Sequence, residues 1–395
     1  MSAATSGMRF LFLEPFFGGS HRDFAEGLAA HSSHDLELVT LPGRFWKWRM
    51  RGAALAFLRK IPDLREFDGL LVTDLMSLTD FKALAGPDCP PALAYFHENQ
   101  VDYPLGPGGV VDYQFGFTDL TTCLVADRVL FNSRSHRTAF LERLPGFIRM
   151  MPDLRPKWAV AAIRKRSGVL HPGCRFPPGE PPRTDQDMIG PRTGTPPLVI
   201  WNHRWEHDKD PEAFADALEA VDARGIPFRI ALAGERYRNV PPAFERIRRR
   251  FRGRIVQYGF LPDRDAYLDL LRRGDVTVST ALQENFGIAT VEAIRHGCLP
   301  LLPNRLSYPE LLPEEARDFC LYDSPETLAD RLAEVLSDIG RFSALRSRLA
   351  RHMGRFAWAE RAPAFDAALT ELAGMRKRTG RGRNPALPDE MRKRG

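Results

Sequence analysis

Cysteine is scarce in this chain, and its few thiols are scattered. The 395 residues include only five cysteines, an odd number, and no two of them form a C-x-x-C pair. A disulfide-stapled domain or a structural zinc site needs paired cysteines, so the sequence predicts neither. Long hydrophobic runs are missing too, since no apolar segment reaches the roughly 20 residues that span a bilayer. We therefore expect a soluble protein of a reducing compartment, the cytoplasm, without a membrane partner.

Acidic and basic residues nearly balance outside the C-terminal tail. The formal net charge is +6, and residues 374–395 alone hold eight Lys and Arg against Asp389 and Glu390. Elsewhere, basic residues cluster in three stretches, at 41–62, 134–166 and 236–254. Each stretch on its own is typical of a solvated helix face. Together, with aromatic residues interleaved in the first, they indicate a surface for a phosphate-rich partner.

The order of apolar segments predicts two α/β domains. Short aliphatic runs, typical of buried parallel strands, alternate with helical patterns in residues 8–173 and again in 198–355. Between them, residues 174–197 include seven prolines, as expected of a linker. A final helix is expected within 356–373, and the basic segment 374–395 is expected to be disordered.

A strand, loop and helix in residues 276–297 place two carboxylates where an activated sugar can bind. Glu284 lies in the loop after a strand at 276–280, and Glu292 lies about two turns into a helix expected from Phe286. Gly287 has no Cβ, so a diphosphate can approach the helix N-terminus closely. The spacing alone leaves open an ordinary α/β unit with two surface glutamates.

Polar residues follow two strands of the first domain. Gly18, Gly19 and His21 come after the strand expected at 8–13. Backbone amides of such a turn bind an anion or a sugar in doubly wound folds, although the same residues form any tight turn. The sequence FHENQ, at 96–100, ends the strand expected at 92–95. Because polar side chains at a buried strand end are costly unless they face a cleft, we interpret FHENQ as part of a ligand site.

These motifs resemble those of one family of sugar transferases. E-x7-E is shared by many retaining nucleotide-sugar glycosyltransferases, and its combination with GGSH, FHENQ-x-x-YP and FNS resembles the tRNA-queuosine mannosyltransferases. The resemblance covers most of residues 8–370, and FHENQ-x-x-YP is its most specific element. It implies a GT-B fold, with two Rossmann-like domains facing each other across a cleft and the last helix crossing back to the first. It also implies transfer of mannose from GDP-mannose, with retention, to queuosine at the wobble position of tRNA-Asp.

The resemblance implies roles for the residues that match the family's motifs. Near the reacting sugar these are His97, Glu98 and Glu284. At the donor diphosphate they are Gly18, Gly19, Arg204, Lys209, Phe286 and Gly287. At the nucleotide they are Gly234, Gly259, Phe260, Leu261 and Glu292. Acceptor contacts are expected from His21, Asn99, Gln100, Arg44, Trp46, Lys47 and Trp48.

No metal ion is expected to assist the reaction. Two-domain transferases of this class work without a divalent cation, and GDP-mannose is expected as a substrate rather than as a resident cofactor. The run Asp208-Lys209-Asp210 has the letters of a D-x-D motif. Its lysine, however, is the residue expected to neutralise the leaving diphosphate.

Two other functions compete with the tRNA enzyme. The acceptor could be a small molecule, a lipid or a cell-surface glycan, because residues 41–57 could form an amphipathic helix that faces a membrane. A non-catalytic binding protein of the same fold is disfavoured by the complete set of Arg204, Lys209, Glu284 and Glu292. The oligomeric state stays open.

Overall fold

The computed structural model describes residues 7–101, 112–177, 194–236 and 240–376, and the chain forms two compact units. The first unit contains the residues up to Arg175 together with those from Phe356 onward, and the second runs from Phe176 to Arg355. FHENQ lies within the described residues. Tyr103 and Pro104 of its extended form, most of the expected linker and most of the basic tail lie outside them.

Within the described residues, the first unit has a six-stranded parallel sheet of order β2-β1-β3-β4-β5-β6. Its strands are β1 (Arg9–Phe17), β2 (Asp35–Pro42), β3 (Gly69–Thr73), β4 (Ala92–Phe96), β5 (Arg128–Phe131) and β6 (Ser167–Val169). Its helices include α1 (Gly19–His31), α2 (Trp46–Leu58), α3 (Leu78–Ala85), α4 (Tyr113–Val125), α5 (Arg134–Arg149) and α6 (Trp158–Arg166).

Strand β1 is longer than the sequence predicts. The expected strand ends at residue 13, whereas β1 continues through Glu14 to Phe17. The extension pairs with β2, where Glu14 lies opposite Thr40 and, after a shift of register, Phe17 lies opposite Pro42. Helix α1 consequently begins at Gly19 instead of residue 22, and the turn between strand and helix is reduced to Gly18.

The second unit repeats the architecture, with the described strands in the order β12-β11-β10-β7-β8-β9. Its strands are β7 (Leu198–Trp201), β8 (Arg229–Leu232), β9 (Ile255–Tyr258), β10 (Val276–Val278), β11 (Leu299–Pro303) and β12 (Leu321–Tyr322). Its helices include α7 (Pro211–Ala223), α8 (Pro242–Arg250), α9 (Arg264–Arg273), α10 (Ile288–Arg295), α11 (Tyr308–Leu311), α12 (Glu314–Cys320), α13 (Pro325–Ser337) and α14 (Ser343–His352). Strand β10 is shorter than expected, and α10 begins two residues later.

In both sheets the direction in which successive strands are added reverses near the middle of the sheet. In the first unit the chain reverses between β1 and β3, and in the second between β7 and β10. Ligands of open α/β sheets bind outside the carboxyl ends of the strands at such switch points. Glu14 and Thr73 lie at the first switch point, and Asn202 follows β7 at the second. The topology therefore directs attention to the loops that follow these four strands.

The last helix, α15 (Trp358–Arg376), belongs to the first unit. Its apolar side chains Phe365 and Leu369 pack with Phe24 of α1 on one face of the sheet, while α2 to α6 cover the other face. Because both faces are covered, the central strands β3 and β4 are fully buried, which explains their continuous apolar sequences, whereas the outer strands β2 and β6 are mostly half-buried. Among the described residues, no helix is long and apolar enough to cross a bilayer.

Trp358 of α15 is held between two glycines. A Cβ on Gly27 of α1 would lie 1.9 Å from the indole Nε1, and one on Gly173 would lie 2.1 Å from the ring. The indole is almost fully buried, so it has little room to move aside. These two positions therefore need glycine for close packing and not for an unusual backbone conformation.

We expect Gly27→Ala to lower the free energy of unfolding by about 1–3 kcal/mol, because the new methyl group overlaps Trp358. Gly52→Ala in α2 is the matched control, since a Cβ there meets nothing within 4 Å. Alanine favours a helix over glycine by about 1 kcal/mol, so the control should be neutral or stabilising. Urea unfolding midpoints measure both effects. Equal midpoints for Gly27→Ala and the wild type would contradict the packing of Trp358.

Candidate active site

A buried lysine joins two loops at the switch point of the second unit. Lys209 is 6% exposed and lies in the turn His207–Lys209 that follows β7. Its Nζ donates to the carbonyl of Gln283 at 2.5 Å and forms ion pairs with Asp208 at 3.2 Å and Glu284 at 3.5 Å. The backbone strengthens this junction, because the amides of Leu282 and Gln283 both donate to the carbonyl of Asp208. These contacts hold together two loops that lie some 75 residues apart in sequence.

The carboxyl group of Glu284 is ionised in this environment. Burial alone would raise the pKa of its carboxyl, but Lys209, Arg204 and the amide of Phe286 together lower that pKa below its ordinary value. His203 itself is neutral, since burial, with Lys209 nearby, lowers its pKa to about 4. Glu284 is thus a fixed acceptor of hydrogen bonds, suited to the hydroxyl groups of a sugar.

The start of α10 has the features of an anion site. Gly287 occupies its N-cap with φ of 93°, a left-handed conformation that favours glycine. No side chain caps the helix, and its first turn carries no acidic residue. The carbonyl of Phe286 accepts a hydrogen bond from the Ser307 hydroxyl, which stabilises the turn before the helix. The first amides of the helix can therefore donate to a phosphate.

Glu292 is oriented by two neighbours from α9. It is 5% exposed, its Oε1 accepts from the Arg264 guanidinium, and its Oε2 accepts from the Tyr267 hydroxyl at 3.2 Å. Tyr267 in turn accepts from the amide of Asn202 at 2.9 Å. Burial, with Glu292 adjacent, raises the pKa of Tyr267 well above its ordinary value, so the phenol stays a donor. The structure thus gives Glu292 a pre-set orientation, which the sequence motif alone does not show.

The residues expected at the nucleotide differ in what they contribute. Gly259 has φ of 114°, which favours glycine, and Phe260 beside it is 60% exposed. Leu261 packs against the apolar core of the unit. Gly234 is required for packing, because a Cβ there would lie 1.8 Å from the carbonyl of His203. Gly234 thereby keeps the β8 turn against the loop that carries the diphosphate-site residues.

Arg204 lies on the same loop but at the surface. Its guanidinium is about half exposed and forms an ion pair with Glu206 at 3.2 Å. Asp210, the last letter of the D-x-D-like run, instead caps α7, where its side chain accepts from the amide of Ala213. These placements agree with a phosphate role for the cations and give Asp210 a structural one.

Three buried carboxylates organise the polar loops of the first unit. Asp74, just after β3, accepts from the amides of His97 at 2.9 Å and Glu98 at 3.3 Å. Asp119 of α4 accepts from the amide of Gln100 at 2.6 Å. The third, Glu14, contacts His21, whose ring centroid lies 4.4 Å from that of His97. The structure thus brings His21, His97 and Glu98 together.

The FHENQ side chains have distinct surroundings. His97 is neutral, because burial and the nearby His21 lower its pKa well below the ordinary value. Asn99 is buried and its side-chain oxygen accepts from the amide of Val101. Gln100 donates to the carboxylate of Glu98 at 3.3 Å. Asn99 therefore supports the loop from inside, while Glu98 and Gln100 are partly exposed and can contact a ligand.

The three basic stretches differ in how far acids neutralise their charges. Within the described residues, no acid pairs with Arg44, Lys47, Arg49 or Arg51. In α8 and the turn after it, by contrast, Arg246, Arg250 and Arg254 pair with acids of α7. Part of the 134–166 stretch is structural, since Arg166 donates to the main-chain carbonyls of Leu124 and Ala126 at the C-terminal end of α4. The start of α2 therefore stays available for the expected phosphate surface, whereas Arg246, Arg250 and Arg254 are already paired.

The aromatic residues at the start of α2 differ in availability. Trp46 packs on Phe115 with ring centroids 5.1 Å apart, so it supports the helix. Trp48 is 76% exposed, and Phe45, in a left-handed conformation at the N-cap, is 69% exposed. Trp48 fits the acceptor role expected for it, and Phe45 is an additional candidate that the sequence analysis missed.

The sequence analysis also missed most of the supporting residues. Asp74, Asp119, Arg264, Tyr267 and Asn202 carry no motif of their own. Their only sequence signal is a polar side chain at the end of an apolar strand or on a helix that returns to the sheet. Their partners become visible only in three dimensions.

One cluster has the composition of a metal site. Potential ligand atoms of Glu14, His21 and His97 lie within 4.8 Å of one another. The Glu14 oxygens, however, already accept from the amide of Phe16, the hydroxyl of Thr73 and His21. The two imidazole rings also pack against each other. We therefore assign this cluster as a hydrogen-bonded ion pair beside a neutral histidine.

Two family descriptions together match most of the chain. Residues 9–174 match the family described as "tRNA-queuosine alpha-mannosyltransferase N-terminal", and residues 183–353 match "Glycosyl transferases group 1". The tRNA-queuosine alpha-mannosyltransferase of Drosophila melanogaster is 37% identical over 335 residues, which cover 82% of this chain and 85% of the fly protein.

Two more distant proteins extend the comparison. A GDP-mannose-dependent alpha-(1-6)-phosphatidylinositol dimannoside mannosyltransferase of Mycobacterium tuberculosis is 26% identical over 196 residues, 49% of each protein. The sucrose-phosphate synthase of Thermosynechococcus elongatus has a TM-score of 0.69 at 15% identity, covering 93% of this chain and 100% of that one. The structural likeness confirms the expected GT-B fold of two Rossmann-like domains.

We expect no zinc to bind stoichiometrically at Glu14, His21 and His97, because hydrogen bonds already occupy the carboxylate. After incubation with zinc and dialysis against metal-free buffer, the wild type and His97→Asn should retain the same trace amount by atomic emission. A stoichiometric zinc content that His97→Asn loses would show that the cluster is a metal site.

Proposed function

Since the chain belongs to the tRNA-queuosine alpha-mannosyltransferase family, we propose that it transfers mannose from GDP-mannose, with retention, to the queuosine of tRNA-Asp. The proposal rests on the 37% identity to the fly enzyme, which extends over both units. The site in the second unit supports it independently, because it combines cations, an open helix N-terminus and two oriented carboxylates. A cytoplasmic location suits the five free cysteines.

The second unit is proposed to bind the donor. Negative charge collects on the diphosphate as the bond to the sugar breaks, and stabilising that charge is the strongest means of acceleration available to the protein. Lys209, Arg204 and the first amides of α10 supply the positive groups. Glu284 would orient the hydroxyls of the mannose, and Glu292 would accept from the ribose. No step in this scheme requires a metal ion.

A GDP-sugar is the proposed donor class. The mycobacterial relative is described as GDP-mannose-dependent, and its likeness covers 49% of this chain. The base itself would lie at the turns of Gly234 and Gly259, where Phe260 is exposed. The main-chain N–H and C=O groups of these turns can recognise a base, so no particular side chain is needed.

The first unit is proposed to bind the tRNA. Arg44, Lys47, Arg49 and Arg51 are unpaired cations on the N-terminal part of α2 and the turn before it. The exposed rings of Phe45 and Trp48 can stack on bases of a single-stranded anticodon loop. Phosphate contacts and base stacking together are typical of proteins that bind single-stranded RNA.

Nucleoside analysis in cells tests the proposed acceptor. Mass spectrometry of tRNA nucleosides should detect mannosyl-queuosine in cells with the gene and unmodified queuosine after its deletion. An Arg204→Ala gene serves as the matched control, since Arg204 is half exposed and its loss should leave the fold intact while the product is not restored. An unchanged nucleoside profile after deletion would contradict the tRNA assignment and leave the lipid or glycan alternatives.

Lys209→Ala and Arg204→Ala should each reduce turnover with saturating donor, on the order of a hundredfold for a group that stabilises the leaving diphosphate. Arg224→Ala is the control, because Arg224 follows the C-terminal end of α7, opposite the end next to Lys209, and forms an exposed ion pair with Asp330. Steady-state kinetics with GDP-mannose measure these rates. Near-normal turnover in both site variants would show that the diphosphate binds elsewhere.

Glu292→Gln should mainly raise the donor KM, since a ribose contact acts equally in the ground state and the transition state. Glu284→Gln should instead lower kcat, because its hydrogen bonds orient the reacting sugar. Both substitutions preserve shape and remove charge. The opposite pattern of KM and kcat effects would show that Glu284 binds the ribose and Glu292 orients the sugar.

Replacing Arg44, Lys47, Arg49 and Arg51 by Gln should flatten the salt dependence of tRNA affinity, because each lost phosphate contact lowers the log–log slope by roughly 0.7–0.9. GDP affinity should stay unchanged. The matched control replaces Arg248, Arg249 and Arg252, exposed cations of the other unit. Filter binding at several salt concentrations gives the slopes. A slope that falls only in the control variant would show that the tRNA binds near Arg248, Arg249 and Arg252 instead.

A further inference from the structure

Glu14 is a fully buried carboxylate to which the donor and acceptor roles above assign nothing. Its Oε1 accepts from the amide of Phe16 at 2.8 Å, and its Oε2 accepts from the hydroxyl of Thr73 at 3.0 Å. His21 Nδ1 lies 3.2 and 3.3 Å from the two oxygens. Burying a charge is costly unless it is paired and hydrogen-bonded, and here both carboxylate oxygens have hydrogen-bond partners.

The pairing with Glu14 fixes the orientation of His21. Since Nδ1 faces the carboxylate, it carries a proton, and Nε2 is the nitrogen left for other contacts. The side chain of His21 is 10% exposed. Within the described residues, no hydrogen bond involves Nε2. A protonated ring would therefore present one N–H donor away from Glu14.

The groups around His21 favour its charged form. Burial opposes the charge, but Glu14, Asp74 and Glu98 outweigh it and raise the pKa of His21 to about 9. The other ring that faces His21 is His97, which is neutral for the reasons given above. The groups that raise the pKa of His21 are therefore all acidic, and no cation is among those that lower it.

His21 lies in the first turn of α1, next to an open helix end. Gly18 at the N-cap offers no side chain, and the first turn contains no acidic residue. Gly19 has φ of 51°, and a Cβ there would meet nothing within 4 Å, so the space outside the turn is open. A helix N-terminus and a buried cation in its first turn act in the same direction, toward an anion.

We propose that Glu14 is a positioning residue that keeps His21 protonated, so that Nε2–H of His21 and the amides of the Gly18–Gly19 turn together bind a phosphate oxygen. This inference rests on the proposed function, in which both substrates carry phosphate. The phosphate belongs either to the donor diphosphate or to the tRNA backbone, and the two sources are separated by experiment.

The first measurement follows the charge of His21 directly. In Glu14→Gln the carboxylate is lost while burial remains, so the pKa of His21 should fall from its wild-type value of about 9. Histidine ring shifts in NMR report this titration. Glu26→Gln is the matched control, because Glu26 is on the same helix and pairs with the exposed Arg22. The control should leave the His21 titration unchanged.

The second measurement follows phosphate binding across pH. Wild-type affinity for the ligand should be constant below the His21 pKa and fall as the pH rises through about 9, where the proton is lost. At pH 8, Glu14→Gln should bind roughly tenfold more weakly, since a charge-assisted hydrogen bond is lost. Lowering the pH through the variant's own His21 pKa should restore its affinity. A purely structural role for Glu14 would not produce this recovery.

GDP and unmodified tRNA are titrated separately to identify the source of the phosphate. A pH-dependent loss for GDP alone assigns the donor, and one for tRNA alone assigns the acceptor. His21→Asn, which removes the charge and leaves Glu14 in place, should abolish the pH dependence even if Glu14→Gln folds poorly.

An unchanged His21 pKa in Glu14→Gln would overturn the proposal, as would a shifted pKa with no effect on either ligand. Neither measurement requires mannose transfer or queuosine. If transfer to queuosine fails while the pH-dependent binding holds, only the proposed function is contradicted.

Discussion

A buried ammonium group fixes the relative positions of two loops in the second unit. Lys209 is enclosed between its own loop and the one that carries Glu284, and it links both through a main-chain carbonyl and two carboxylates. Removing one partner of such a buried pair leaves an uncompensated charge, which is strongly destabilising. The position of Glu284, the ionised state of that carboxylate and the approach to the open end of α10 all depend on this contact.

The first unit fixes its polar loop with buried acidic side chains instead. Asp74 and Asp119 are buried carboxylates that accept main-chain amides of the FHENQ loop. Burial, with Glu98 nearby, raises the pKa of Asp74 to about 7 even though His21 opposes this. Both units thus use a buried ionisable group at the switch point of the sheet to fix a polar loop. Rigid loops at these positions are the condition for placing catalytic groups accurately.

Sequence patterns predicted the two α/β units and most of their strands, because parallel strands buried on both faces leave continuous apolar runs. They also located Glu284, Lys209 and FHENQ, which belong to recognisable motifs. They could not predict the end of β1, where Glu14 stays in the strand because its charge is satisfied inside the unit. Nor could they show that α7 neutralises the basic residues of α8, since those ion pairs join helices some 30 residues apart.

The central claim is that queuosine in tRNA is the acceptor and GDP-mannose the donor. The most direct measurement offers purified protein radiolabelled GDP-mannose together with tRNA-Asp that carries queuosine, and in parallel the same tRNA carrying guanosine. We predict incorporation of label into the queuosine tRNA alone, with the product identified by nucleoside mass spectrometry. Labelling of neither tRNA, alongside transfer of mannose to a lipid or a free glycan, would contradict the account.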